Sequence, residues 1–520
     1  MVGRVNRKSL FTGDGIGLVT GILATELFER FAPQGLVSQH RHEIGVHFPY
    51  IASVSYKPTR IVNDKIYDIA VRVEVLNPLA DLDELTVKLI PAEYEYFITK
   101  YGMKREDYPL VFPPEKTRIA RFKPKGVKRE LFKVEFKDLV GGREYLIEVE
   151  AKIFSGNVKR RQIKTSYIRQ FENFGKELYK KGIIVSVVYL PFNMKDIPRK
   201  DDDPLLGRYD TLDPIVSYKH VDWATGHGIN VFIIDSQNHW WPEIKNRVFT
   251  VFTNILNTEH IKVTWLIGPS PRHFTYGEYG EEIPEWAIDL SLQQNNETFI
   301  SFVKELIKPE LVLNEDYLKI NSKPVLYIWD EGAFFNQRDS YQAIKNWVNH
   351  KIGSDLYIIA DWIPRIPTLP DDEYVRFLIN KYRGEGLKIV DAFTGWIGFH
   401  TVGQDTKQYV DNYNYYYERQ LKVWKEFTEE WGKQFIVTVT PGFDNSYSWG
   451  SPQIPLPRGK EKFEQRLKIG LKYLDKSKPW IKIDTWNDWG EWSYIEPSVN
   501  EGFEYLEVLK NILISFSSTL

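Results

Sequence analysis

The chain has no cysteine among its 520 residues, which excludes disulfide scaffolding, thiol catalysis and Cys-ligated zinc together. It also lacks an excess of charge: 68 Lys and Arg stand against 70 Asp and Glu, a net charge of −2. No basic face and no long run of like charge follow from that balance, so nucleic acid is not an expected partner. No apolar run is long enough to cross a bilayer, since Ile16–Thr25 falls far short of the roughly 20 residues a spanning helix needs. The glycine patterns that cradle phosphates are missing as well, and no cofactor is indicated. Only three Met, no Cys and 27 % charged residues are a composition that heat-adapted chains share.

Aromatics are what the chain has in quantity: 15 % of residues, with 16 Trp and 30 Tyr. Flat rings with one apolar face and one polar edge suit either a large core or the faces of sugars. At the N-terminus, Asn6-Arg7-Lys8-Ser9-Leu10-Phe11 precedes the apolar run Ile16–Thr25. A basic stretch before a short apolar one resembles a twin-arginine export signal, with Lys in the second basic position. It implies an extracellular or cell-surface location; the alternative is a cytoplasmic chain that begins with an amphipathic helix ending near Phe31. The expected division is a signal-like or helical segment over 1–40, a β-sandwich over 41–168 and a catalytic barrel over 169–520.

Within the second region, Ile66–Val75, Leu85–Ile90, Glu130–Phe136 and Tyr145–Ile153 alternate or are dense in β-branched residues between turns, which predicts a sandwich. The stretch Leu139-Val140-Gly141-Gly142-Arg143-Glu144-Tyr145, running on to Ser155-Gly156, resembles the end of a fibronectin type III domain. From Gly182 the pattern changes to eight apolar strands separated by helices: Ile183–Leu190, Asn230–Asp235, Ile261–Gly268, Val325–Asp330, Asp355–Asp361, Ile389–Trp396, Phe435–Pro441 and Trp480–Asp488. Phe299, Phe302, Val303, Leu306 and Ile307 mark one intervening helix, and Phe463, Leu467, Leu471 and Leu474 another. Eight such units predict an α/β fold of the (β/α)8 TIM-barrel kind, preceded by the sandwich.

In such a barrel the strand-to-helix loops form the working face. Here those loops are long (Pro191–Leu212, Pro269–Asn295, Gly442–Gly459), and Asp235, Asp330, Glu331, Asp361, Asp444, Asp488 and Glu491 stand at or near strand ends. A single acid there is commonly a helix cap. So many, interleaved with Trp, suggest a carbohydrate cleft, for which the expected lining is Asp235, Trp240, Tyr327, Asp330, Glu331, Trp362, Trp396, Asp444, Trp449, Trp486, Trp489 and Glu496. The densest segment is Thr485-Trp486-Asn487-Asp488-Trp489-Gly490-Glu491-Trp492-Ser493-Tyr494-Ile495-Glu496-Pro497. Cleaving a glycosidic bond takes one carboxylic acid to protonate the leaving oxygen and one carboxylate to activate the attacking group. Asp488 and Glu491 can supply both, on one face if the segment begins a helical turn.

This segment resembles the catalytic motif of the endo-α-mannosidase family (glycoside hydrolase family 99) and its WbsX-like relatives, roughly N-E-W-x-E-G followed by I/L-E-P. It is also similar to the N-D-[YW]-G-E of the fungal α-1,3-glucanases of family 71. Asp213-Pro214 with Gly226–Asp235, Ser322–Asp330 and Pro441–Asn445 resemble further motifs of the first group in the same order. The resemblance implies a glycoside hydrolase acting on an oligo- or polysaccharide, with Glu491 as general acid and Asp488 as general base. The chain departs from the group at Asp488, where the group has Glu, and at Trp492, where it has Gly. A second possibility is a non-catalytic glycan-binding or polysaccharide-assembly protein of the WbsX-like type. A third is a metal site on Asp235 and His239, a pair with no further ordered His partner.

Overall fold

The computed structural model describes residues 51–62, 65–77, 81–91, 116–125, 127–139, 145–154, 158–164, 169–197, 201–237, 239, 241–269, 274–275, 288–361, 385–396, 406–446 and 454–519. The export-like segment, the turn 141–144 and Trp240, Trp362 and Trp449 lie outside them.

Among the described residues seven antiparallel strands come first. Ile51–Val62, Lys65–Leu76 and Arg129–Phe136 form a three-stranded sheet with Lys65–Leu76 in the middle. Leu82–Pro91, Arg118–Phe122, Tyr145–Ile153 and Val158–Lys164 form a four-stranded one. The period-2 pattern explains the layering: Ile69, Val71, Val73 and Val75 of the first sheet share one apolar cluster with Leu85, Val87, Leu89, Ile147 and Val149 of the second. All four expected strands are present, each shifted by a few residues at most. Ile51–Val62, Arg118–Phe122 and Val158–Lys164 were not foreseen, since Lys and Arg break their alternation.

The described residues from 169 onward form a parallel sheet with helices outside. Its strands are Ile184–Tyr189, Val231–Asp235, Lys262–Ile267, Lys323–Ile328, Tyr357–Asp361, Ala392–Thr394, the pair Gln434–Phe435 and Val437–Val439, and Trp480–Ile483. Gln434–Phe435 pairs with the sixth strand, whereas Val437–Val439 pairs with the eighth, which pairs in turn with the first. Only Ile436 separates the two short pieces, and its N–H bonds to the Phe393 carbonyl. Counting 434–439 as one strand closes the ring at eight, consistent with a (β/α)8 barrel. Among the described residues an α-helix follows each strand except the fifth, after which the description resumes at Glu385 with the short 3-10 helix Glu385–Lys388.

Alternation along the strands sorts the residues. Val231, Ile233, Leu266, Val325, Tyr327, Tyr357, Ile359, Ile436 and Trp480 fill the barrel interior. Val185, Val187, Phe232, Ile234, Trp265, Leu326 and Ile481 face the helices and belong to the larger outer core. The same parity sends Asp235, Asp361, Lys482 and Asp484 inward at the carboxyl ends of their strands. The helices start where the sequence supplies caps: Asp213 accepts from the Ile215 N–H at 2.9 Å and Pro214 takes the first helical position of Pro214–Gly226. Helix Arg338–Ile352 ends on Gly353 at φ 76°, the left-handed turn that glycine adopts without strain.

At the opposite, amino-terminal end of the barrel Asn230 does the work of several backbone groups. Its Oδ1 accepts from Val185 N–H at 3.0 Å, and its Nδ2 donates to the Gly175 and Ile183 carbonyls at 3.1 and 2.9 Å. Asn230→Ala strands three buried backbone groups and is expected to lower stability by about 3 kcal/mol, read as a shift in denaturant midpoint at unchanged m. A loss below about 1 kcal/mol means that water replaces the amide and the clamp is incidental.

Candidate active site

The eighth strand ends at Ile483, five residues earlier than the sequence suggests, because the chain leaves the sheet after Asp484 to make the loop that carries the acids. The loop is tied at both sides. Asn487 accepts from Leu190 N–H and donates to the Leu190 carbonyl, both at 2.8 Å, which pins it to the end of the first strand. Trp486 N–H bonds to the Val188 carbonyl, and Ile495 and Glu496 N–H return to the Trp486 carbonyl. Between these ties residues 489–492 make tight turns, not a helix. The turn is closed by Asp488 itself: its N–H donates to Thr485 Oγ1 and its Oδ1 accepts from Glu491 N–H, each at 2.9 Å. Asp488 and Glu491 are therefore joined through an Asx-type turn, and neither caps the last helix, Glu504–Ser517, whose cap is Phe503.

The acids converge. Asp488 is 7 % exposed, and burial first, then the negative charges of Glu491 and Asp235, hold its carboxyl well above the ordinary carboxylate range. Asp235, at the end of the second strand, is raised by its own burial, and Gln237 donates to it from the backbone at 3.0 Å and from Nε2 at 3.1 Å. The loop after the seventh strand is tied to the acid-bearing loop through the Asp444 N–H, which bonds to the Glu491 carbonyl at 2.7 Å, while Asp444 Oδ1 accepts from the Ser446 N–H at 2.9 Å.

Residues 194–509, well over half of the chain, match the family model described as "Glycosyltransferase WbsX". The chain belongs to that family. The WbsX-like resemblance read from the motifs is thereby borne out. Among solved structures, a "Glycoside hydrolase-like protein" is 19 % identical over 63 % of this chain and 93 % of its own, at a TM-score of 0.49. The GH99 endo-alpha-mannosidase from Bacteroides thetaiotaomicron is 15 % identical over 64 % of this chain and 97 % of its own, at 0.41. A Bacteroides uniformis beta-glucuronidase is 12 % identical over 84 % of this chain and 45 % of its own, at 0.29. No curated protein matches.

In this WbsX-family chain Asp235, Asp444, Asp488 and Glu491 stand at the carboxyl-terminal ends of their strands or in the loops beyond them. Asp330 follows the fourth strand in a left-handed conformation at φ 49°, and Trp396 follows the sixth, edge-to-face with Trp329 at 6.3 Å. Tyr327 lies beneath them: its hydroxyl donates to Asp361 at 3.0 Å and accepts from Lys482 Nζ at 2.9 Å. Lys482, fully buried, also meets Asp484 at 2.8 Å and stands 5.0 Å over the Trp396 ring.

Three expected lining residues are corrected. Glu331 turns toward helix Arg338–Ile352 and accepts from Gln337 and Tyr341, and burial pushes its carboxyl up to about 8. Trp486 is wholly buried between His220 and Phe232 in the outer core. Glu496 is sealed in a polar cluster: Tyr209 Oη and Trp489 Nε1 donate to its Oε2 at 2.8 Å, and His220 Nε2 meets its Oε1 at 2.9 Å. With Nε2 given to the carboxylate, His220 Nδ1 accepts from Tyr189 Oη at 2.9 Å. Sequence reading gave no role to His220, Tyr209, Asn487 or Lys482; of these Asn487 carried a signal as the first residue of the matched motif, and Lys482 as a cation inside the apolar run Trp480–Ile483. His239 faces Phe302 and Glu305 of helix Gln293–Leu306, and burial pushes its ring down to about 4, so it does not join Asp235. Among the described residues no group of three metal-ligating side chains is present, and no helix is long and apolar enough to cross a membrane.

A raised carboxyl destabilises the fold. The folded state holds the Asp488 proton more tightly than the unfolded chain, so stability falls as pH rises from the ordinary Asp value toward the folded one. Asp488→Asn keeps the Oδ1 acceptor for Glu491 N–H and removes the charge. It is expected to raise the melting temperature at pH 7 by a few degrees and to flatten that slope, measured by thermal melts from pH 4 to 8. A variant that melts lower at pH 7 shows that the charge stabilises its surroundings instead.

Proposed function

We propose that this WbsX-family chain is a glycoside hydrolase that cleaves α-linked polysaccharide or glycan of mannan or glucan type. The observation that carries the reading is a buried carboxyl, Asp488, raised by desolvation and by a second acid three residues away on the same loop. A carboxyl whose proton is held more tightly than in water is suited to taking a proton and returning it. In the proposed reaction Asp488 takes a proton from the attacking water as its oxygen bonds to the anomeric carbon. The glycosidic C–O bond breaks with its electron pair going to the leaving oxygen, which Glu491 protonates. A carboxylate whose conjugate acid is weakened by burial is the stronger base, which suits Asp488 to that role.

The two families that the loop resembles differ in outcome: the mannosidase group retains configuration through the sugar's own 2-hydroxyl, and the α-1,3-glucanases, with Asp at this place, invert. An Asp side chain is shorter than Glu by about 1.5 Å, one carbon-carbon bond, which leaves room for a water between base and anomeric carbon, as inversion requires. We therefore assign inversion. The N-terminal sheets, read as fibronectin III-like, would brace the barrel, and the basic and apolar N-terminal run would direct export.

The family's description as a glycosyltransferase favours a second reading, glycan assembly, in which an acceptor hydroxyl takes the place of water. A binding protein without chemistry would turn over nothing. Glu491→Gln and Asp488→Asn are each expected to cut hydrolysis by about 100-fold or more. In the wild type the acidic limb of the rate profile should lie well above the ordinary Asp value, because activity is lost as Asp488 takes up its proton. Unchanged rates in either variant remove that residue from the mechanism, and a flat pH profile removes the pair.

A further inference from the structure

Beyond the fourth strand the chain makes a short segment, Glu331–Phe335, that lies between two left-handed residues, Asp330 at φ 49° and Asn336 at φ 53°. Asp and Asn enter that region more readily than other residues with a side chain, which makes both ends suitable hinges. In between, Phe334–Phe335 pairs in parallel with Ile288–Asp289 from the loop after the third strand, a two-residue bridge outside the barrel sheet. The Leu290 N–H bonds to the Phe335 carbonyl, and Asn336 Nδ2 donates to Asp289 Oδ1 at 2.8 Å. Phe334 packs against Phe274 and Phe299, with ring centres 5.6 and 5.4 Å away.

A further tie is Glu331, a carboxyl that the proposed reaction does not use. It is fully buried, and its Oε1 accepts from Gln337 Nε2 at 2.9 Å and from Tyr341 Oη at 2.8 Å. Among the described residues Oε2 has no hydrogen-bond partner, and no Lys, Arg or His pairs with the group. The titratable groups that face it are Tyr341 from helix Arg338–Ile352 and Asp330 from its own turn, and Asp330 adds a like charge. The elements behind its partners bring no cation. Phe299 of helix Gln293–Leu306 lies 5.6 Å from the Tyr341 ring, and Gly386 of the turn Glu385–Lys388 lies so close to Gln337 that a Cβ would meet its side chain at 2.3 Å. A neutral acid fits such a place, whereas an anion sits dry with one oxygen unpaired.

We propose that Glu331 is a proton-dependent latch: with its proton, the segment Glu331–Phe335 is closed onto helix Arg338–Ile352 and the Ile288–Asp289 bridge, and without it the segment swings on Asp330 and Asn336 to put the carboxylate in water. The latch does not depend on the glycosidase reading. It acts on the barrel's carboxyl-terminal end all the same, because Trp329 and Asp330 lead directly into the segment. Burial pushes the Glu331 carboxyl up to about 8 while the segment is closed, and in the open segment it returns to the ordinary Glu range. Opening therefore releases a proton. It becomes about tenfold easier per pH unit from the ordinary Glu value upward and levels off once the closed form has also lost its proton.

Amide hydrogen exchange from pH 5 to 9, each rate divided by that of an unprotected amide at the same pH, tests the latch on the wild-type chain and on Glu331→Gln. The variant keeps the shape and the accepting oxygen but never carries a charge. Leu290, Ala333 and Phe334 are the reporters, since their N–H groups bond to or within the segment; Val185 N–H, clamped by Asn230, is the control. In the wild type the corrected reporter rates are expected to climb about a hundredfold or more between pH 5 and 8 and to flatten by pH 9, and in Glu331→Gln to stay level. A slope that Glu331→Gln shares, no slope in the wild type, or a slope shared by Val185, which marks opening of the whole barrel, overturns the latch. Melting curves check the fold of each variant. If Glu331→Gln is unstable, Tyr341→Phe takes its place: it keeps the ring and removes a donor that favours the anion, so the levelling point is expected to move to higher pH, and an unmoved point rejects Glu331 as the group that titrates.

Discussion

The site depends on keeping one carboxyl group out of water. Asp488 is held in a place where burial and two neighbouring acids oppose its charge, and a chain adopts such an arrangement only if other contacts compensate. They do so around it. Asn487, one residue before, spans the Leu190 amide and carbonyl. The Glu496 cluster, a few residues after, ties Trp489 to Tyr209 and His220. Arg458 bonds to the loop's outer carbonyls and to Glu501. The loop is thereby anchored to the first strand, to helix Pro214–Gly226 and to the segment before helix Lys460–Lys472.

Beneath the loop the barrel interior turns from apolar to polar. Trp480, Lys482 and Asp484 point inward in succession, and the Lys482 ammonium is shared by Asp484 and the Tyr327 hydroxyl. Thr438 Oγ1 closes the set on Asp484 at 2.6 Å. Buried ion pairs add little net stability, and breaking one is costly because its partner is left charged and dry. Their use here is geometric. Residues of strands four, five, seven and eight are locked at the level just under the acids, which fixes the barrel's mouth.

Much of this was legible in the sequence because barrel strands are short apolar runs with turns between them, and seven of the eight lie within a few residues of the expected ranges. The eighth was drawn too long: Asp484–Asn487 continue the pattern of a strand while the chain is already leaving the sheet. The seventh is split at Ile436 between two partners, a break that only the pairing reveals. Acids that end a strand, such as Asp235, could be placed from parity alone. Tryptophans could not: Trp486 is core and Trp492 only half-buried, yet both stand in the same aromatic segment. Glu331 and Glu496 look like site acids until their partners, Tyr341 and His220, are brought in from distant helices.

The central claim is that the acid pair breaks α-glycosidic bonds with water. It is tested most directly by incubating the wild-type chain with α-mannans and α-glucans and following product size together with the proton NMR of the first-formed reducing ends. The account predicts shortened chains whose new ends appear first as the β-anomer. An α-anomer first would reject inversion and leave hydrolysis standing; chains that keep their length, or grow when offered an activated sugar, would contradict the claim itself.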